Sequence, residues 1–219
     1  MKRLIIVCEG PTEQEFCNSV LAPELARHGI FVETPVIKHS RGGIVPWRTL
    51  KGQLMNHLHE GDAVVTTLID YYGIKERHEF PGWAEAMRVE DKTVRMHRLF
   101  SEMKEDLPEE LRDRFIPYIQ LHEFEGLLFS DVNAFMESFS KDEIDMNVLM
   151  EAANSFENPE LINDSPLTAP SKRLEKAIVG YSKVLYGNYL AMDIGLETIR
   201  NKCPLFNEWL EKLTACSQA

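Results

Sequence analysis

Three apolar runs end on acids. IIVCEGPTE (residues 5–13) passes from four apolar residues to Glu9, turns on Gly10-Pro11 and sets a second acid, Glu13, four residues after the first. AVVTTLID (63–70) ends on Asp70, and FIPYIQLHEFE (115–125) runs into Glu123 and Glu125. Acids also end strands simply because strands end at the surface; here it is the repetition that points to chemistry. Carboxylates gathered on one edge repel unless a cation joins them, and an all-oxygen donor set suits Mg²⁺ or Mn²⁺. Glu9, Asp70 and Glu123 are the first candidate ligands. Glu125 is a further metal ligand, and Glu13 an outer ligand or base. In two-metal hydrolysis of a phosphodiester, one ion activates water and the other steadies the leaving oxygen. Lys183, in GYSKVLYG, is placed to stabilise the charge that builds on phosphate; Lys172, in APSKRL, is the second choice. His122 is a candidate to orient a carboxylate or donate to phosphate.

The elements that must position these groups follow from apolar spacing. RLIIVC (3–8) is an unbroken apolar run, the pattern of a strand buried on both faces. Phe16, Val20, Leu21 and Leu25 recur at helix period, with Pro11 near the helix start, where its missing N–H costs little, and Thr12 as the expected N-cap. IFVETPVI (30–37) reads as a second strand, WRTLKGQLMNHL (47–58) as a helix and AVVTTLID as a third strand. Residues 83–106 read as a broken helix, and Pro108 starts another. FIPYIQLHEFE begins as a fourth strand whose Pro117 places it at a sheet edge or a bulge. If residues 123–125 stay extended, Glu123 and Glu125 share a face; if they turn helical, the two diverge. No strand is expected beyond residue 130. Strands alternating with helices imply an α/β fold with a mostly parallel sheet of at least four strands. In such sheets the ligand crevice lies beyond the carboxyl ends of the strands, where the acids fall. The expected division is 1–130 as the α/β domain and 131–219 as a helical C-terminal region.

Composition sets the limits. The chain has 219 residues, 44% hydrophobic and 27% charged, enough for a full core. No apolar run approaches the ~20 residues of a membrane span, and MKRLIIVCEG is too short in its apolar part for a signal peptide, so the expectation is a cytoplasmic protein with no membrane partner. Cys8, Cys17, Cys203 and Cys216 form no C-x-x-C pair, which argues against zinc and against a disulfide framework. The net charge of −11 runs against nucleic-acid binding, but net charge does not describe local surface. Residues 34–59 contain no acid and carry Lys38, Arg41, Arg48 and Lys51; residues 165–192 carry Lys172, Arg173, Lys176 and Lys183 against Glu175 alone. Lys38, Arg41, Arg48, Lys172 and Arg173 are therefore the candidate nucleic-acid contacts. Trp47, Tyr71 and Tyr72 are candidates to stack on unpaired bases.

The motif V-x-E-G-P-T-E, Val7 to Glu13, resembles the opening of Toprim domains, and especially of the Toprim nucleases of the overcoming-lysogenization-defect (OLD) type. TTLIDYYGI (66–74), FPGW (80–83), LHEFEGLLF (121–129), APSKRL (169–174) and the segment from IGLETIRNK to NEWLEKL are similar to a small bacterial family related to them. The resemblance covers nearly the whole chain. It implies a Toprim-like α/β fold with a four-stranded, mostly parallel sheet and a helical C-terminal extension. It also implies a Mg²⁺- or Mn²⁺-dependent nuclease acting on DNA or RNA in anti-phage defence, beside a partner ATPase. On it, Glu9 matches the first-strand glutamate, Glu13 the second acid and Asp70 the first Asp of D-x-D. Tyr72 departs from the pattern by standing where the second Asp belongs: either Glu123 or Glu125 replaces it, or one metal position is lost. The alternative reading is a non-catalytic Toprim-like subunit that binds or regulates an ATPase.

Overall fold

A computed structural model describes residues 2–38, 43–163, 165 and 167–216. The chain forms two units: Met1–Ile119 with Trp209–Ala219, and Gln120–Glu208.

Unit 1 is an α/β sheet. Its strands are β1 (Lys2–Cys8), β2 (Ile30–Glu33), β3 (Val64–Leu68) and β4 (Phe115–Ile116), in the order β2-β1-β3-β4, all parallel. Leu4 to Cys8 and Val64 to Leu68 are buried throughout, because the crossover helices of a parallel sheet cover both faces. The first crossover is α1 (Pro11–Phe16), a π-helical turn (Cys17–Leu21) and α2 (Ala22–Arg27); α3 (Trp47–Leu58) makes the second; α4 (Trp83–Ala86), α5 (Lys92–Glu105) and α6 (Glu109–Arg112) make the third. The N-cap of α1 is Gly10 rather than the expected Thr12, with Pro11 at the first helical position. The Gly10 N–H donates to Glu13 Oε2 at 2.9 Å, so the second acid satisfies the main-chain donor of the cap residue itself.

The fourth strand is shorter than its apolar run. Pro117 has no N–H to continue the ladder, and β4 stops before it at the sheet edge. Beyond the proline a side chain replaces the ladder: the Thr67 hydroxyl donates to Tyr118 O at 2.6 Å and accepts the Tyr118 N–H at 3.1 Å. The neighbouring Thr66 hydroxyl donates to Ile116 O and accepts from the Trp209 indole at 2.8 Å. The Trp209 ring stacks on Tyr118 with centroids 4.4 Å apart, which ties the end of the chain to the sheet edge.

Unit 2 is built of short helices: 3₁₀ turns at Phe124–Ser130, Val132–Ala134 and Pro159–Leu161, then α7 (Phe135–Ser138), α8 (Met146–Asn154), α9 (Pro170–Ala177), α10 (Lys183–Ile194), α11 (Leu196–Lys202) and the start of α12 (Pro204–Ala215). An isolated antiparallel bridge pairs Ile144 with Ile178. The unit begins earlier than residue 130, because the 3₁₀ run 124–130 is buried and packs on α9, α10 and α11. α12 begins in unit 2 and belongs to unit 1 from Trp209 on. Its N-terminal N–H groups at Leu205 and Phe206 donate to the two oxygens of Glu160 at 2.9 and 3.0 Å. Burial pushes the Glu160 carboxyl up to about 7 in spite of those two donors, with the nearby Glu208 charge adding to the rise. Among the described residues the four cysteines are free thiols, and Cys8, Cys17 and Cys203 are buried.

Two outcomes follow. Thr66→Val should cost about 1–3 kcal/mol in urea unfolding, because it leaves the Trp209 N–H and the Ile116 carbonyl without their buried partner. The raised Glu160 value means that the folded state binds its proton more tightly than the unfolded one. The resulting stabilisation is fully present below pH 4.5 and is lost as pH rises through about 7, about 3 kcal/mol in all. Unfolding followed across that window should show the decline, and Glu160→Gln should flatten it.

Candidate active site

At the carboxyl edge of unit 1, the parallel register pairs Cys8 with Leu68. The chain therefore leaves β1 and β3 at the same level. The Glu9 N–H donates to Leu68 O at 3.0 Å, and the Asp70 N–H donates to Glu9 Oε2 at 2.9 Å. Glu9 is thereby fixed by the strand beside it, and Asp70, 7% exposed, follows directly. Glu13, 3% exposed, is held by the Gly10 N–H. The other Glu9 oxygen faces two glycines: a Cβ on Gly73 would lie 3.6 Å from Oε1, and one on Gly43 3.9 Å. The same Gly73 Cβ would lie 3.4 Å from Ile44 Cγ2, so Ile44 also packs on this side of the carboxylate. Tyr72 lies in a 3₁₀ turn (Tyr71–Gly73). Lys75 Nζ sits 5.1 Å from its ring centre, a cation–π pair, and donates to its carbonyl at 3.3 Å.

Unit 2 holds the other acids. Glu123 is extended and Glu125 lies in the 3₁₀ turn that follows, so neither simple sequence expectation for 123–125 applies to the whole segment. Glu123 Oε2 accepts the Ser171 N–H at 3.0 Å; Ser171 is in the first turn of α9, whose N-terminus favours a negative charge. Glu125 is fully buried. Lys183 Nζ stands 3.2 Å from its Oε2, an ion contact without hydrogen-bond alignment, and no aligned donor among the described residues meets either oxygen. Burial raises the Glu125 carboxyl, the Lys183 charge opposes that rise and the Glu123 charge adds to it. The Tyr181 hydroxyl is buried without a hydrogen-bond partner among the described residues. Burial first, and then the Glu125 charge, raise it far above the ordinary phenol range. His122, buried and at φ 70°, adopts a left-handed conformation that side chains other than glycine rarely take.

Among the described residues no group of three or more His, Cys, Asp or Glu side chains is close enough to hold a metal ion. Glu9, Asp70 and Glu13 belong to unit 1; Glu123, Glu125 and Lys183 belong to unit 2. The unit 1 acids nonetheless fit Mg²⁺, which dehydrates reluctantly and is commonly held by one or two carboxylates with water and substrate phosphates.

The basic candidates divide. Lys38 and Arg48 are exposed, and Arg41 lies outside the described residues. Lys172 pairs with Glu175 at 2.6 Å. Arg173 donates to Thr168 O at 2.7 Å and lies over the Phe156 ring, which makes it a brace for the loop before α9. Trp47 is buried with its indole on Asp106 at 2.7 Å, so it is a core residue and not a base-stacking surface. Tyr71 packs on Trp83. Sequence reasoning missed Tyr181, the Ser171 N–H and the Gly73 approach. Only the GYSK context of Lys183 and the APS start of α9 signalled the first two.

These features define an α/β protein with a parallel sheet and acids at the carboxyl ends of its two central strands. The chain belongs to the family described as a domain of unknown function, DUF4276, which matches residues 8–214. Comparison with curated proteins and with solved structures finds no match. Among the described residues no helix is long and apolar enough to cross a membrane.

Lys183→Met should leave Glu125 buried without its counter-charge. The expected loss is about 2 kcal/mol at pH 8, below the value for a fully buried pair because the lysine is partly exposed. Since the folded Glu125 value is raised, the penalty should shrink as pH falls and the carboxyl takes up a proton. Adding Glu125→Gln should restore stability at pH 8, as read from denaturant unfolding.

Proposed function

We propose that this protein is a metal-dependent phosphodiester hydrolase, a nuclease of the Toprim type acting on DNA or RNA in the cytoplasm. The observation that carries the reading is the clamp between Glu9 and Asp70, two acids at adjacent parallel strand ends held by a main-chain hydrogen bond. Glu9 and Asp70 would hold Mg²⁺ or Mn²⁺, with Glu13 as an outer acid. The ion, when bound, supplies an activated water and neutralises phosphate charge. The Asp70 N–H keeps the Glu9 carboxylate from turning away from its place. Unit 2 carries its own candidate groups, the Lys183 ammonium for an anion and beside it Glu125, whose raised proton affinity suits it to take up or release a proton. Lys38 and Arg48 supply exposed positive charge for the nucleic-acid backbone. Action in anti-phage defence with an ATPase partner is part of this proposal and rests on the resemblance of EGPTE, DYYG and HEFEGLLF.

Two observations favour the second reading, a non-catalytic subunit that binds or regulates an ATPase: Tyr72 holds Lys75 where a ligand acid would stand, and no three-acid group forms among the described residues.

Glu9→Gln separates the two. It keeps an oxygen for the Asp70 N–H and removes the charge. Purified protein should cleave plasmid DNA or tRNA with Mn²⁺ and stop in EDTA; the variant should lose at least about 10²-fold, because a misplaced ion misplaces its water. Its melting temperature in EDTA should be level or higher, and the Mn²⁺-induced rise of the wild type should vanish. A variant that melts lower in EDTA yet gains as much from Mn²⁺ makes Glu9 a structural residue. Absence of cleavage of any tested nucleic acid by the wild type, with either metal and with an ATPase partner, supports the regulatory subunit.

A further inference from the structure

α10 (KVLYGNYLAMDI) is apolar around nearly its whole circumference, a composition that belongs to a helix covered on every side. Only one side is covered. Gly187, Asn188, Leu190, Ala191 and Ile194 are buried within unit 2, whereas Leu185, Tyr189 and Met192 are 51%, 55% and 45% exposed. These three stand at i, i+4 and i+7, one stripe along the outer face. Val184, 60% exposed, flanks it. The apolar surface continues past the helix. α7 lies alongside, joined by the Ser138 hydroxyl donating to Asp193 and by the Phe139 and Tyr186 rings with centroids 5.0 Å apart. It adds Met136, 57% exposed. Met136, Phe139, Ile144 and Met146 line a groove, and Val179, 74% exposed, lies beside it through its N–H on Glu143 O.

We propose that this face docks a second copy of the chain across a two-fold axis near Tyr189. Three observations favour a second copy over another occupant. The first is area. Met136, Val179, Val184, Leu185, Tyr189 and Met192 together expose on the order of 500 Å² per copy, so pairing buries on the order of 1,000 Å², the size at which specific dimers begin. The second is self-complementarity. In an antiparallel pair of α10 helices Leu185 of one copy meets Met192 of the other, and the two Tyr189 rings meet near the axis, the arrangement an isologous interface requires. The third is charge. The chain carries −11, which keeps copies apart in general, but the α10 stripe of Leu185, Tyr189 and Met192 has no ionisable group apart from the tyrosine phenol, and the groove beside it carries one charge of each sign, Lys141 and Asp145. Lys183 is turned to Glu125 and Asp193 takes the Ser138 hydroxyl. Tyrosine and methionine with few charges are the composition of an interface core. This inference stands apart from the proposed chemistry, although docking would also hold in place the helix that begins with Lys183.

Sedimentation of the full chain at tens of micromolar should give twice the 25.2 kDa chain mass. Leu185→Glu with Tyr189→Ser, both at exposed positions, should weaken association at least tenfold with the melting temperature of the subunit retained. In a Cys216→Ser background, which removes the one partly exposed thiol among the described residues, Tyr189→Cys should yield a disulfide-linked dimer on mild oxidation where the background itself yields none, because Cys8, Cys17 and Cys203 are buried. The Cys variant also decides the matter should the double variant fail to fold. A wild type that sediments as a monomer overturns the proposal and assigns the face to a different protein. A dimer that survives the double substitution, or one in which Tyr189→Cys does not cross-link, overturns it as well.

Discussion

The hydrogen bond from the Asp70 N–H to the Glu9 carboxylate depends on a constraint of parallel sheets. Neighbouring strands that run the same way leave the sheet at the same edge, so whatever follows one strand lies beside whatever follows the next. With Cys8 opposite Leu68, the residues just beyond are Glu9 and Ile69-Asp70. The sheet's last main-chain donors then go to a side-chain oxygen instead of another strand. A charged acceptor on a main-chain N–H is one of the stronger hydrogen bonds available, and it locks the acid at the crevice floor without a rigid side-chain shell. The turn at Gly10 and the start of α1 at Pro11 carry the chain away from the sheet directly after that acid.

Unit 2 meets a different constraint, the cost of burying a carboxylate, and meets it in two ways. Glu160 gives both oxygens to helix N–H groups; it is a structural cap, and its proton affinity rises chiefly because the surroundings are dry, with the Glu208 charge adding to it. Glu125 is as deeply buried, and Lys183 stands 3.2 Å from it, poorly aligned. A fold needing only a stable turn there would gain from an apolar residue. Among the described residues neither Glu125 oxygen nor the Tyr181 hydroxyl has an aligned hydrogen-bond partner, which singles the pair out as groups to test for proton exchange or ligand binding.

The class of the fold was legible because it rests on local pattern. Unbroken apolar runs at 3–8 and 63–70, the amphipathic 47–58 and the turn residues between them suffice for a parallel α/β sheet, and helix α3 lies at the residues read from the sequence. Proline chemistry was legible too: Pro11 opens α1 and Pro117 ends the edge strand. The acids at strand ends were visible as residue types at element boundaries, and the structure joins Glu9 with Asp70 at one edge.

What spacing alone left open was decided by partners distant in the chain. Trp47 read as a candidate to stack on bases, and it is buried with its indole N–H on Asp106, far along the sequence. Lys172 and Arg173 read as nucleic-acid contacts; in the fold Lys172 pairs with Glu175 at the surface, and Arg173 donates to Thr168 O and lies over Phe156. The left-handed backbone of His122, the Ser171 N–H on Glu123 and the burial of Glu125 beside Lys183 leave no periodic trace, since each depends on segments brought together only on folding. The sequence by itself determined the α/β class, the order of its strands and helices and the acids Glu9 and Asp70 at two strand ends, because these follow from steric and hydrophobic preferences within a few residues; Glu123, read as the third, lies well past β4, which ends at Ile116. Which of those charges are held by backbone donors, which are neutralised and which are left in a dry interior was decided by the tertiary structure, because electrostatic energy depends on distance and burial rather than on position along the chain.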